Sequence, residues 1–150
     1  MPQAKARSAA LMASVEDIEA QFYEALQRGD IERLMAVWSD DDDVACVHPG
    51  GPRVIGHSAV RASFDSIFAN GPIPVRPQHV RRVDNASCSV HHVLERVDIT
   101  TAEGAQTAWV LSTNVFLKTP QGWRLVLHHA SPGSPREAQE IVADAPSTLH

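Results

Sequence analysis

Apolar residues recur at three- and four-residue intervals from Ser14 to about Gly71, and at two-residue intervals over most of the chain that follows. The first period belongs to helices and the second to strands. Ser14 and Asp17 form an N-cap signal, after which Ile18, Phe22, Ala25 and Leu26 keep one stripe as far as Gly29. Asp30 is placed to cap a second, shorter helix in which Ile31, Leu34, Met35 and Trp38 share a face, and the run Asp40–Asp43 stops it. From Asp43 to His48 the pattern alternates, which predicts a short strand. Pro49-Gly50-Gly51-Pro52 reads as a turn, and beyond Gly56 a third helix carries Val60, Phe64, Ile67 and Phe68 on one stripe up to Asn70-Gly71.

Three prolines between Pro72 and Pro77 exclude a central strand or a helix and leave an extended connector or a sheet edge. Alternation then predicts strands over about 79–84, 87–100, 106–118 and 123–130, separated by the turn segments Asn85-Ala86, Ala102-Glu103-Gly104 and Pro120-Gln121-Gly122. Links this short make an antiparallel meander. Helices first and strands last describe an α+β domain, with helices packed on one face of a strongly bent sheet. The expected organisation is a flexible segment over 1–13, the domain over 14–132 and a loosely ordered tail over 133–150, with a helical turn at Glu137–Ala143.

The length of 150 residues suits a single core. No apolar run approaches the ~20 residues that cross a bilayer, and Ala9–Ala13 is too short for a secretory signal. A cytoplasmic protein without membrane contact is expected. The net charge of -5 disfavours nucleic acid as a partner, because phosphate neutralisation needs clustered Lys and Arg. The two cysteines, Cys46 and Cys88, match neither a disulfide framework nor a zinc motif, and the eight histidines show no metal-binding spacing, so no metal is expected. Without a phosphate loop, a dinucleotide fingerprint or a serine nucleophile elbow, no cofactor is expected either.

The candidate chemistry lies where two apolar strands end in histidine, Val44-Ala45-Cys46-Val47-His48-Pro49 and Leu125-Val126-Leu127-His128-His129-Ala130. If both strands belong to one sheet, the two ends can share a pocket. An imidazole with a pKa near 6.5 can act as a general base at neutral pH. Strict alternation puts Leu125, Leu127, His129 and Ser131 on one face of the last strand and His128 and Ala130 on the other. Tyr23 and Trp109 combine aromatic area with a polar handle, and Trp38 and Phe64 offer further aromatic wall.

Taken in order, Phe22-Tyr23-Glu24-Ala25-Leu26-Gln27-Arg28-Gly29-Asp30, Trp38 before the aspartates, Val47-His48-Pro49-Gly50-Gly51, Gly56, Thr113-Asn114-Val115-Phe116, and Gly122-Trp123-Arg124 leading to His128-His129-Ala130-Ser131 are informative together. This arrangement resembles the nuclear-transport-factor-2-like superfamily over about residues 14–132. That superfamily includes SnoaL-like proteins, ketosteroid isomerases and the association domain of calcium/calmodulin-dependent kinase. The resemblance implies a cone in which a curved sheet and three helices enclose a pocket, and a homodimer formed through the open sheet face.

It also places His48 where the isomerases carry a general-base aspartate before proline, which makes His48 the candidate catalytic residue. Phe22 falls at the position of the isomerase oxyanion-hole tyrosine, with Tyr23 turned about 100° away, and the acid position falls near Thr113. Those departures speak against steroid isomerisation by the relatives' route. The kinase association domain has a similar strand ending in histidine and serine, which favours His129 over His128 as the inward residue, paired with Asn114. The resulting ligand site comprises Tyr23, Trp38, His48, Phe64, Trp109, Asn114 and His129. It implies a small, partly apolar ligand whose carbonyl or carboxylate oxygen is held by Asn114 and His129, with isomerase, hydratase or hydrolase chemistry. The alternative is a non-enzymatic association domain.

Overall fold

The computed structural model of the chain describes residues 12–143. Helix α1 (Val15–Arg28) opens with a reciprocal cap in which Asp17 N–H donates to Ser14 Oγ and Ser14 N–H donates to Asp17 Oδ2, both at 3.1 Å. It ends at Gly29, whose φ of 65° lies in the left-handed region that a side chain would strain. Asp30 caps α2 (Ile31–Val37) by accepting Arg33 N–H at 3.1 Å. Helix α3 (His57–Phe68) follows Gly56. All three begin and end close to where the periodicity places them.

The strands are β1 (Ala45–Val47), β2 (Arg53–Ile55), β3 (Val75–Asp84), β4 (Cys88–Thr101), β5 (Gly104–Thr119) and β6 (Gly122–Pro132). They form one sheet in the order β2-β1-β6-β5-β4-β3. The meander from β3 to β6 is antiparallel, as its short links require. Strand β3 lies at the edge, where the absent N–H of Pro77 costs no interior ladder bond, and the register shifts between Pro77 and His79. β2 has no counterpart in the sequence reading. Gly51 N–H donates to His48 O at 2.8 Å, and this tight return lays three residues back against β1.

Strand β1 pairs with β6 in parallel, Cys46 opposite His128 and Val47 opposite His129. The two histidine-ended strands therefore run side by side in the same direction. The inward histidine is His128, which corrects the expectation for His129. Val115 pairs with Leu127 but Phe116 pairs with Leu125, so Val126 is an extra residue bulged out of β6. A bulge of one residue reverses the facing of everything beyond it. Leu125, His128 and Ala130 are consequently buried, and His129 is exposed on the outer face.

The helices cover the concave face of the sheet. Phe22 and Leu26 from α1, Leu34 and Val37 from α2, and Val60 and Phe64 from α3 close over Val93, Phe116 and Leu125, all of them buried. No described helix is long and apolar enough to cross a membrane.

Beyond β6 the chain bends rather than coiling. Ser134 Oγ accepts the N–H groups of Arg136 and Glu137, Gly133 N–H donates to Trp109 O at 2.7 Å, and Glu140 lies 3.2 Å from His79 and 3.5 Å from Arg81. The helical turn expected at Glu137–Ala143 is absent, because the segment bonds to its own serine and to the sheet. The readings for residues 1–11 and 144–150 fall outside the described residues.

Phe22 is fully buried at the centre of this packing. Phe22→Ala is expected to destabilise the fold by about 3–5 kcal/mol. Urea denaturation of the purified variant checks this, and a loss below about 1 kcal/mol would be incompatible with a core aromatic.

Candidate functional site

Between the helices and the concave sheet face lies a cavity of about 90 Å³, whose wall includes His48, Phe64, Glu95, Val110, His128 and Ala130. Its polar residues come from three places in the sheet. His48 follows β1, Glu95 lies on β4 in phase with the buried His91 and Val93, and His128 lies on β6 just past the bulge. Everything else named on the wall is apolar, so each polar group there must find a partner or carry a cost.

Most of the partners are supplied from behind the wall. Tyr23 Oη donates to Glu95 Oε2 at 2.6 Å. Asn114 Nδ2 donates to Tyr23 Oη at 3.1 Å and to Glu19 Oε2 at 3.0 Å. Its two N–H groups are thereby spent, and its Oδ1 lies 2.5 Å from His128 Nδ1. An amide oxygen only accepts, so His128 must carry its proton on Nδ1 and leave Nε2 as a bare lone pair. On the far side of the network Glu19 Oε1 sits 2.9 Å from Nδ1 of His91, which is completely buried.

His48 is fixed by similar logic. Ser63 Oγ donates to Val60 O at 2.8 Å and lies 3.0 Å from His48 Nε2. With its hydroxyl proton committed, Ser63 accepts from Nε2–H, and Nδ1 is the unprotonated nitrogen of His48. The ring stands edge-on to Phe64, with centroids 4.8 Å apart. Burial lowers the His48 pKa from its usual value, favouring the neutral ring.

The other titrating groups are displaced further. Burial pushes the Glu95 carboxyl up to about 7, with hydrogen bonds from Tyr23 and Ser112 opposing the rise and the nearby Glu19 charge adding to it. Burial, then the charge of Glu95, raises the Tyr23 hydroxyl well above its ordinary range. His128 is held down to about 3 by burial and by repulsion from His48 and His129, and remains neutral across the physiological range. Burial also lifts the Cys46 thiol to about 12, which makes it unreactive.

Of the residues expected at a ligand site, His48 and Phe64 line the cavity. Tyr23 and Asn114 stand behind it and spend their donors on protein groups, so Asn114 has no N–H left for a ligand oxygen. Trp38 is 3% exposed and belongs to the core. Trp109 lies opposite Arg96 in the β4–β5 register, one residue out of phase with Glu95 and Val110, and therefore faces away from the cavity. The Arg96 guanidinium sits 6.0 Å from its ring centre.

His129 is outward for the reason given by the bulge. The tyrosine–acid pairing thought to be missing exists in another form, since Phe22 and Tyr23 are both buried on the wide inner face of α1 and Tyr23 reaches Glu95. Sequence reasoning missed Glu19, His91, Glu95 and His128. Glu95 was open to discovery, because it shares the alternation of His91, Val93 and Val97; Glu19 lies on the helical stripe between Val15 and Tyr23. Among the described residues no group of three or more His, Cys, Asp or Glu side chains is arranged to hold a metal ion.

The model of the SnoaL-like domain matches residues 15–135. A candidate association domain of calcium/calmodulin-dependent protein kinase type II from Thiobacillus denitrificans is 34% identical, with a TM-score of 0.74 over 83% of this chain and 98% of its own. A candidate dehydratase of the NTF2-like family from Streptomyces avermitilis is 31% identical, with a TM-score of 0.70 over 80% of this chain and 94% of its own. A ketosteroid isomerase-like protein from Erwinia carotovora atroseptica shares the fold at 19% identity, with a TM-score of 0.65 over 81% of this chain and 95% of its own. No curated protein sequence gives a significant match.

The two displaced groups tilt stability against pH in opposite senses. Glu95 titrates near 4.5 when unfolded and near 7 when folded, so the unfolded chain releases a proton that the folded chain keeps, and stability falls as pH rises between those values. His128 titrates near 6.5 when unfolded and near 3 when folded, so stability falls as pH drops between those values. Each arm is on the order of a few kcal/mol. Urea denaturation from pH 3.5 to 8, an illustrative range spanning roughly both titrations, is expected to show Glu95→Gln flattening the upper arm and His128→Asn the lower. An unchanged upper arm in Glu95→Gln would mean that Glu95 titrates normally.

Proposed function

Because this chain belongs to the SnoaL-like family, we propose that its cone cavity binds a small, partly apolar molecule and that His48 and Glu95 move a proton on it. The observation that carries this reading is the meeting of two complementary groups on one apolar wall, an imidazole with a free nitrogen and a carboxyl held near neutrality. His48 Nδ1 takes the proton and Glu95 returns one, the division of labour that isomerisation, hydration or its reverse requires. The likeness to a candidate dehydratase at 31% identity supports the hydration–dehydration pair.

The size of the cavity bears on the ligand. An apolar cavity of about 150 Å³ accepts benzene, so 90 Å³ accommodates a reacting group and a short apolar stem rather than a steroid. The free thiols of Cys46 and Cys88 fit the cytoplasmic location inferred from the sequence. The outer sheet face, with Trp109, Leu94 and Leu111 partly exposed, is the surface assigned to a homodimer.

A second reading is supported by the 34% identity to a candidate kinase association domain. Here the outer sheet face carries the function, as a platform for self-association, and the cavity is incidental.

Turnover of a panel of short hydroxy, keto and amino compounds separates the two readings. Under the first, His48→Gln and Glu95→Gln each lower the rate by about 10²–10⁴-fold while circular dichroism stays native. Absence of turnover by the unaltered protein, together with light scattering that gives a ring larger than a dimer, would favour the association reading.

A further inference from the structure

The inventory of hydrogen-bond donors around the cavity is one-sided. Tyr23 gives its hydroxyl proton to Glu95, Asn114 gives both amide protons to Tyr23 and Glu19, and His128 gives Nδ1–H to Asn114. His48 gives Nε2–H to Ser63, and Ser63 gives its own proton to the Val60 carbonyl. What remains on the residues lining the cavity is two lone pairs, His48 Nδ1 and His128 Nε2, and the Glu95 carboxyl, an acceptor when ionised even though the buried Ser112 hydroxyl also supports it. The rest of the lining is apolar and contains neither lysine nor arginine.

The charges are equally one-sided. Of the two buried acidic side chains in the network, Glu19 has the His91 ring nitrogen Nδ1 at 2.9 Å. Glu95, only 4% exposed, has no cationic partner among the described residues. A buried carboxylate without a counter-charge either stays protonated or recruits a cation. A carboxylate ligand placed here would meet a second carboxyl group and two lone pairs.

We infer that the head group this cavity selects is a primary ammonium on a short apolar stem, its three N–H donors answering His48, His128 and Glu95. An ammonium has three donors and no acceptor, the complement of what the wall leaves unspent. The apolar lining, including Phe64, takes the stem, and the ~90 Å³ volume restricts the whole ligand to about three or four non-hydrogen atoms by comparison with benzene in about 150 Å³. The inference rests on the reading of the cavity as a ligand site and names the chemical class of its ligand.

The test is a titration of the full chain with n-propylamine, propionate and propionamide, three probes of nearly the same shape. Binding is followed by the NMR signals of the His48 and His128 rings. Saturable binding of propylamine at least about tenfold tighter than propionate is expected, the scale of one charge-assisted hydrogen bond. Glu95→Gln is expected to weaken propylamine by a similar factor, and His92→Ala, on the outer face, to leave it unchanged. Should Glu95→Gln fail to fold, the comparison of the three probes on the unaltered protein decides alone.

Propionate or propionamide binding as tightly as propylamine overturns the ammonium assignment while leaving the cavity as a ligand site. Ring signals unmoved by all three probes overturn both.

Discussion

The hydrogen bond from Tyr23 to Glu95 is the interaction on which the interior of this protein depends. It joins α1 to β4 across 72 residues of sequence and gives a carboxyl group its partner in otherwise apolar surroundings. Asn114 on β5 braces the tyrosine, and His128 on β6 braces the asparagine. One helix and three adjacent strands are thus held by groups that would each be costly alone. Such a chain tolerates little independent variation, because removing a member leaves its neighbour buried and unpaired. Its geometry also decides the chemistry of the cavity, since every proton used to brace the network is withheld from the ligand side.

The helices and the meander were legible because each rests on local information. Caps at Ser14 and Asp30, the stop at Gly29 and the alternation from β4 to β6 all act within a few residues. The three-residue strand β2 is too short to leave a pattern, and its pairing depends on a turn whose geometry proline and glycine only permit. The exchange of His129 for His128 has a different origin. Bulging at Val126 is a property of two strands together, and the apolar run Leu125-Val126-Leu127 in β6 does not by itself mark where the phase changes. Trp109 was misplaced because its polar handle was weighed without its phase against Glu95.

The polar interior is informative about function because packing alone does not call for it, however much this fold now relies on its being satisfied. An apolar core of similar volume is often as stable as one containing buried charges. A cavity bordered by a carboxyl displaced toward neutrality and by two neutral imidazoles therefore marks the part of the cone whose chemistry differs from simple packing. The outer sheet face has partly exposed apolar side chains, and the last described residues bend across part of it, Glu140 reaching His79 and Arg81. The cavity and the partly exposed apolar face thus lie on opposite sides of one sheet.

The parallel pairing of β1 with β6 carries a kinetic consequence. Hairpins in the meander close over short loops, but β1 must wait for a strand from the far end of the domain, after every intervening element has emerged. His48 takes its place beside His128 only when that last closure is made. That wall of the cavity is therefore completed by a contact between distant parts of the chain and by no local hairpin.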